Sequence, residues 1–418
     1  MTNPINVLVS AYACGPNWGS EIGMGWNWVI NLSNFCQLTI ITEFAFKKEI
    51  EGELSKFNLK YNPKFYYLDI GERGRILFWK QGSFLFYWYY KRWQRKALTL
   101  SKVLIHREKF DIIHQLNMIG FREPGYLWRI DTITYIWGPV GGYNQVPWAY
   151  LIKMGAKNAL YYSIKNIINE FQISILDRPK KAASRATIVF AANYEAAQCL
   201  RKHVKTELIT LNETGCKINK FSNIATTKPH NNLKILWVGR IQGLKALPIA
   251  IESLSILKNE YSFTFTIIGD GPDKKSCMDL AHKKGLFEKC VWKGRLAHNE
   301  VISAMLDSDL LFFTSLKEGT PHVVTEAIEN GLPVLCHDTC GQGAVINENC
   351  GVKIPMINYT ESVIRFAQEI SKLAKNPKVL TNLSRGALER ASELTWNLKA
   401  EFLYQKYLQV TSANEKVG

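Results

Sequence analysis

The chain has 418 residues, 47% of them hydrophobic and 21% charged, and carries a formal net charge of +16. That length favours two ordinary domains, and the charge points to a negatively charged partner. A membrane-spanning helix is excluded, because the most aromatic run is split by Lys80, Gln81, Gly82 and Ser83.

MTNPINVLVSAYACG, at the start, lacks a basic leader and moves straight into a strand-like run, INVLVSA at 5–11. With nine cysteines in no framework spacing, a reducing cytoplasm is expected. CGPNWGSEIGMGW follows that first strand, and Gly15, Gly19, Gly23 and Gly25 would let backbone approach a ligand. QLTIITE (37–43) and KFYYLDI (64–70) read as further strands. Residues 71–110 then hold ten Lys and Arg against Glu72 and Glu108, with nine aromatics between Phe78 and Trp93. Such a mixture suits an anionic membrane surface; the alternative is a core helix with a solvated basic face, and single-stranded nucleic acid is a weaker third option. FDIIHQL (110–116), TITYIWG (132–138) and ATIVFAAN (186–193) complete a first series of strands alternating with helical patterns, the mark of a parallel sheet. His114 ends an apolar run, where a satisfied core histidine is the usual outcome.

Residues 211–232 are polar and turn-rich and read as a linker. After them the pattern restarts: LKILWVG (233–239), LPIAIESLSIL (247–257), FTFTIIGDG (263–271), KKSCMDLAHKKG (274–285), CVWKGRL (290–296), NEVISAMLDS (299–308) and DLLFFTS (309–315) alternate strand and helix. Two α/β domains are therefore expected: 1–210, the linker, and 233–397, with a terminal helix over about 398–418 that packs back on the first. A cleft at the carboxyl ends of the strands is the natural ligand site. Arg240 and Lys245 follow the strand end at Gly239, a fork and a mobile point charge suited to phosphate. SLKEGTPHVVTEAIENGLPVL (315–335) carries Glu318 before a helix and Glu326 within it; Thr320 and Pro321 suit the helix start, Gly331 and Pro333 its stop. Two carboxylates at a strand's carboxyl end make sense if they accept hydrogen bonds from ligand hydroxyls; solvated or locally paired glutamates are the alternative. GDGP (269–272) is only a fragment of a dinucleotide fingerprint, so an oxidoreductase is disfavoured. Cys336, His337 and Cys340, and the Asp307-Ser308-Asp309 run, are weak metal signals, and Asp309 reads as structural.

VGRIQGLK, IIGDGP, WKGRL and EGTPHVVTEAIENGLPV together resemble the retaining GT-B glycosyltransferases of family 4, with their Glu-x7-Glu pattern. GSEIGMGWNW, DIIHQLN and WGPVGG look like the donor-facing loops of the same family's first domain. The resemblance implies two Rossmann-like domains and a UDP- or GDP-sugar donor. Arg240 and Lys245 would neutralise the departing diphosphate. Glu326 would hold the ribose, and Glu318 with the backbone of Gly319, Thr320, Pro321, His322 and Val323 would face the sugar. Gly19 would approach the diphosphate, Lys293 and Leu296 would frame the base, and His114 would lie beside the reacting carbon. No metal or cofactor is expected. The expected acceptor is a glycan or a polyprenyl-diphosphate-linked chain in cell-surface polysaccharide synthesis, with the protein on the inner face of the membrane and no nucleic acid partner. An inverting GT-B enzyme and a basic nucleic-acid-binding protein are the rival readings. Ala246 stands where the family usually has Gly, and GTPHVVT replaces its commoner start; both departures leave the sugar open.

Overall fold

A computed structural model describes residues 4–79, 84–217 and 232–415. It contains two parallel sheets, each the centre of one compact unit. The first sheet holds β1 (Asn6–Ala11), β2 (Gln37–Glu43), β3 (Lys64–Leu68), β4 (Ile112–Asn117), β5 (Thr134–Val140), β6 (Ile188–Ala191) and β7 (Glu207–Thr210) in the order β3-β2-β1-β4-β5-β6-β7. The second holds β8 (Leu233–Val238), β9 (Phe263–Ile268), β10 (Cys290–Gly294), β11 (Leu310–Phe313), β12 (Val334–His337) and β13 (Gly351–Ile354) in the order β10-β9-β8-β11-β12-β13. Both are doubly wound α/β arrangements, as the alternating pattern predicts.

Burial follows position in the sheet. Every residue of β4 and of β11 is buried, whereas the edge strands β3, β7 and β10 are only partly covered. Helices on both faces explain why the central strands read as continuous apolar runs. Each fully buried Val, Leu or Ile in them contributes roughly 1.5–3 kcal/mol.

The first unit comprises Met1–Tyr143, Gln172–Glu213 and Trp396–Gly418. Its closing helix, Trp396–Glu415, buries Trp396, Ala400, Leu403, Tyr407 and Val410 at helical spacing in the same core as β1 and β4. The second unit comprises Asn144–Phe171 and Thr214–Thr395. Here the expected division at 210 needs correction, because 144–171 leaves the first half of the chain to join the second core. Val146, Tyr150, Leu151 and Tyr162 pack in one cluster with Ile249, Leu254 and Phe366, and the Tyr150 hydroxyl lies 2.6 Å from that of Ser362. Most of the expected linker, 218–231, lies outside the described residues. Its start is tied down: the Cys216 amide donates to the Leu394 carbonyl and the Lys217 amide to the Glu329 carboxylate.

The basic-aromatic stretch forms two helices, Glu72–Trp79 and Phe84–Arg107. Phe86, Tyr90 and Trp93 are buried, and Tyr12 meets Tyr90 and Trp93 edge-on at 4.9 and 5.0 Å. Trp79, Leu85 and Trp88 face outwards, and the Arg92 guanidinium lies 4.8 Å from the centre of a Trp88 ring.

Candidate active site

In the second sheet the strand order reverses between β8 and β11, which pair directly. Ligands of open parallel sheets bind outside the carboxyl ends at such a reversal. The loops leaving these two strands carry Arg240 and Lys245 on one side and Glu318 on the other. They are stitched together by the Leu316 amide on the Leu244 carbonyl at 2.9 Å and by the Thr314 hydroxyl on the Lys245 carbonyl at 2.8 Å. The Trp237 indole N–H donates in turn to Thr314 at 3.1 Å. Lys245 Nζ and the Ser315 hydroxyl both donate to the Glu318 carboxylate. Lys245 and Glu318 side chains are 19% and 16% exposed, so this pair is largely withdrawn from water yet reachable. Arg240 is exposed, and among the described residues no ion pair engages it.

The loop after β9 packs on this one through bare backbone. A Cβ on Gly269, whose φ is +139°, would lie 1.8 Å from the Gly239 carbonyl oxygen, and one on Gly271 would lie 2.1 Å from that of Ile241. Ala246, which ends the cation-bearing loop, adopts a left-handed conformation with φ 47° and ψ 41°. Glycine takes that conformation without steric cost.

Glu326 lies on the helix His322–Glu329, with His298 Nδ1 at 3.8 Å. Burial raises the Glu326 pKa, opposed by His298 and Lys217. Glu329, one turn on, is pushed up to about 7, first by burial. Lys293 and Leu296 leave β10 immediately before the helix His298–Leu306; Lys293 is exposed, and Leu296 packs with Val323 against one apolar cluster. The helix start differs from the expected one. Pro321 occupies the cap position, the helix has eight residues, and Thr320 instead lies against Gly341, whose amide donates to the Gly319 carbonyl at 2.9 Å. The helix stops as expected, with Gly331 at φ 68°. The sequence does not single out His298, Ser315 or Lys217; a histidine two residues past WKGRL carries no motif of its own.

In the first unit, Gly19 caps the helix Ser20–Leu32 and a Cβ there would meet nothing within 4 Å. Gly23 and Gly25 have a different task from the expected approach to a ligand. Their absent Cβ atoms would lie 1.9 Å from the Trp18 carbonyl oxygen and 2.2 Å from that of Ala13, so they admit the helix against its own loop. His114 requires correction. It is fully buried, with Nδ1 2.6 Å from the Tyr407 hydroxyl and Nε2 2.7 Å from the Gly138 carbonyl, and burial lowers its pKa to about 4. Both ring nitrogens serve the core, so it has none to offer a sugar. In the first turn of the helix Ser20–Leu32, Glu21 holds the Ile119 amide, and its pKa is raised to about 7 by burial and, less strongly, by Glu213. GSEIGMGW displays this residue, but nothing in the local pattern distinguishes it from a solvated glutamate.

Asp307 pairs with Lys234 at 2.6 Å and Asp309 accepts from the Lys234 amide at 2.8 Å, so both secure the start of β8. Cys340 accepts from the Asn144 amide at 3.1 Å, and His337 Nε2 lies 2.9 Å from Ser362 Oγ. Among the described residues no cluster of three or more His, Cys, Asp or Glu is placed to hold a metal ion.

Two doubly wound, parallel-sheet domains give the chain the architecture of the GT-B class, and the proteins it is similar to are glycosyltransferases. Residues 220–390 match the family model Glycosyl transferases group 1. A D-inositol 3-phosphate glycosyltransferase of Saccharomonospora viridis is 23% identical over 71% of this chain and 74% of its own. The amylovoran biosynthesis glycosyltransferase AmsK of Erwinia amylovora is 33% identical, over 34% of this chain and 37% of its own length. Among solved structures, a glycosyltransferase from Rickettsia africae superposes over 97% of this chain and 99% of its own, with a TM-score of 0.62 at 15% identity. Anabaena HepE, solved in complex with UDP-glucose, covers 98% of this chain and 100% of its own with a TM-score of 0.54 at 14% identity.

Proposed function

We propose that the protein transfers a sugar from a UDP- or GDP-sugar to a glycan or polyprenyl-diphosphate-linked acceptor with retention at the anomeric carbon, as a family 4 enzyme of cell-surface polysaccharide synthesis. The observation that carries this reading is the convergence of Lys245, Ser315 and Glu318 at the β8–β11 reversal, with Arg240 on the same loop as Lys245. A diphosphate leaving group accumulates negative charge as the bond from its oxygen to the anomeric carbon breaks. Fixed cations there stabilise the transition state by several kcal/mol. The acceptor oxygen bonds to the anomeric carbon on the same face, and its proton passes to the departing phosphate oxygen, without a protein nucleophile.

Glu326 accepts hydrogen bonds from the ribose hydroxyls, and Glu318 from the sugar; Lys293 and Leu296 border the base. The amylovoran relative supports a polysaccharide pathway, and the UDP-glucose complex of the Anabaena protein supports a uridine nucleotide. The outward aromatics and cations of Glu72–Trp79 and Phe84–Arg107 rest on the anionic inner face of the membrane, next to a lipid-linked acceptor. Screening sugar nucleotides by thermal stabilisation and slow hydrolysis identifies the donor. Proton NMR of the first product then reads the configuration: an inverted anomer overturns the retaining assignment, and the absence of any stabilising sugar nucleotide overturns the donor class.

A further inference from the structure

The helix Ala156–Ile175 is turned inside out. Its buried face carries Tyr162, Asn166 and Asn169, and Asn166 is fastened to the Val146 backbone by bonds of 2.7 and 3.2 Å. Its outward face carries Leu160, Ile164, Ile167, Ile168 and Phe171, with Leu160 65% and Phe171 62% exposed. Tyr161 and Ile152 are exposed as well, and a concentration of exposed apolar side chains of this kind marks an interaction surface.

Leu160, Ile164, Ile167 and Phe171 are spaced four, three and four residues apart, which is the seam of a helix pair. That spacing reads the same in both directions. A two-fold antiparallel pairing therefore sets Leu160 against the partner copy's Phe171, and Ile164 against its Ile167, in four matched layers, with Tyr161 facing Ile168 along one flank. A parallel pairing would place both Lys157 side chains in one layer, whereas the antiparallel one separates them. Charge also selects the occupant. Residues 156–171 carry only Lys157 and Lys165 against Glu170, and Lys165 Nζ lies 4.4 Å from the ring centre of its own Tyr161. An anionic lipid surface calls for a basic rim such as that of 71–110, with ten cations against two anions. We infer that this face is the self-association surface of the protein, an isologous antiparallel contact between two copies of the helix.

Sedimentation equilibrium of the full chain at micromolar concentration should give a dimer. Ile164→Asp and Ile167→Asp, both at outward positions, should weaken association at least about a hundredfold, with unchanged circular dichroism. Oxidising a mixture of Leu160→Cys and Phe171→Cys chains should yield a mixed covalent dimer that neither chain forms alone. A wild-type monomer throughout that range overturns the proposal. So does a dimer that both aspartates leave intact, or a monomer whose binding to anionic vesicles the aspartates abolish.

Discussion

Lys245 and Glu318 already hold each other in the free chain, with Ser315 as a third member. On the proposed reading an incoming diphosphate competes for a cation that a carboxylate has positioned, while Arg240 stands exposed on the same loop. Replacing either Arg240 or Lys245 by Ala is expected to lower turnover roughly tenfold to a thousandfold, read from initial rates at saturating donor. Full activity in both variants would remove the charge-stabilisation argument. On the proposed reading Glu326 holds the ribose, so Glu326→Ala is expected to weaken binding of free nucleoside diphosphate in calorimetry. Burial raises its pKa, and only the ionised form accepts from both ribose hydroxyls. Affinity should consequently fall as pH drops through that raised value, and Glu326→Gln should flatten the profile. An unaltered slope in that variant would assign the pH dependence elsewhere.

At the scale of elements, one strained residue and one partly withdrawn acid each predict a stabilising substitution. Ala246 bears a left-handed conformation that costs an L residue with a Cβ about 1 kcal/mol. Ala246→Gly is accordingly expected to raise the melting temperature slightly, and a fall would show that its methyl packing outweighs the strain. Glu21 is a half-buried acid with its pKa raised to about 7. Between the ordinary glutamate value of 4.5 and about 7 the folded chain keeps a proton the unfolded chain has lost. Stability contributed by this group thus falls as pH rises through that window. Glu21→Gln, which can still accept from the Ile119 amide, should stabilise the protein at pH 8 by thermal denaturation and change it little at pH 4, while equal shifts at both would exclude titration as the cause. The strands of both sheet centres were legible because buried parallel strands are unbroken apolar runs. β7 (ELIT), β12 (VLCH) and β13 (GVKI) mix polar residues or glycine into four positions, so they lack the unbroken run of β6 or β11 and exist through pairing with their neighbours. Lys245 and Glu318 were legible as charged residues after two strand ends, but the ion pair that joins them was not. His114 misled for a physical reason: its partner Tyr407 lies 293 positions away, and no local pattern announces a hydrogen bond of that span. The allegiance of 144–171 was hidden likewise, since its apolar residues fit either core by composition.

For the whole molecule, the +16 charge is distributed so that half of the excess lies in 71–110. Burial has divided the aromatics of that stretch: Phe86, Tyr90 and Trp93 build the core, whereas Trp79 and Trp88 remain more than half exposed. Core packing alone explains the first group and leaves the second in water, where indole rings gain nothing. At a membrane interface those rings sit at headgroup depth, and each neighbouring cation near an anionic surface contributes about 1 kcal/mol. No described helix is long and apolar enough to cross the bilayer, so any attachment through these residues must be electrostatic and interfacial. Co-sedimentation with vesicles containing anionic lipid should therefore be strong at low ionic strength and weaken steeply as salt is raised. Trp79→Ser combined with Trp88→Ser should reduce the salt-resistant fraction, whereas Arg92→Ser should chiefly reduce the salt-sensitive one. If the wild type binds no better than it does to neutral vesicles at any ionic strength, the exposed rings need another partner and the lipid-linked acceptor loses its physical support.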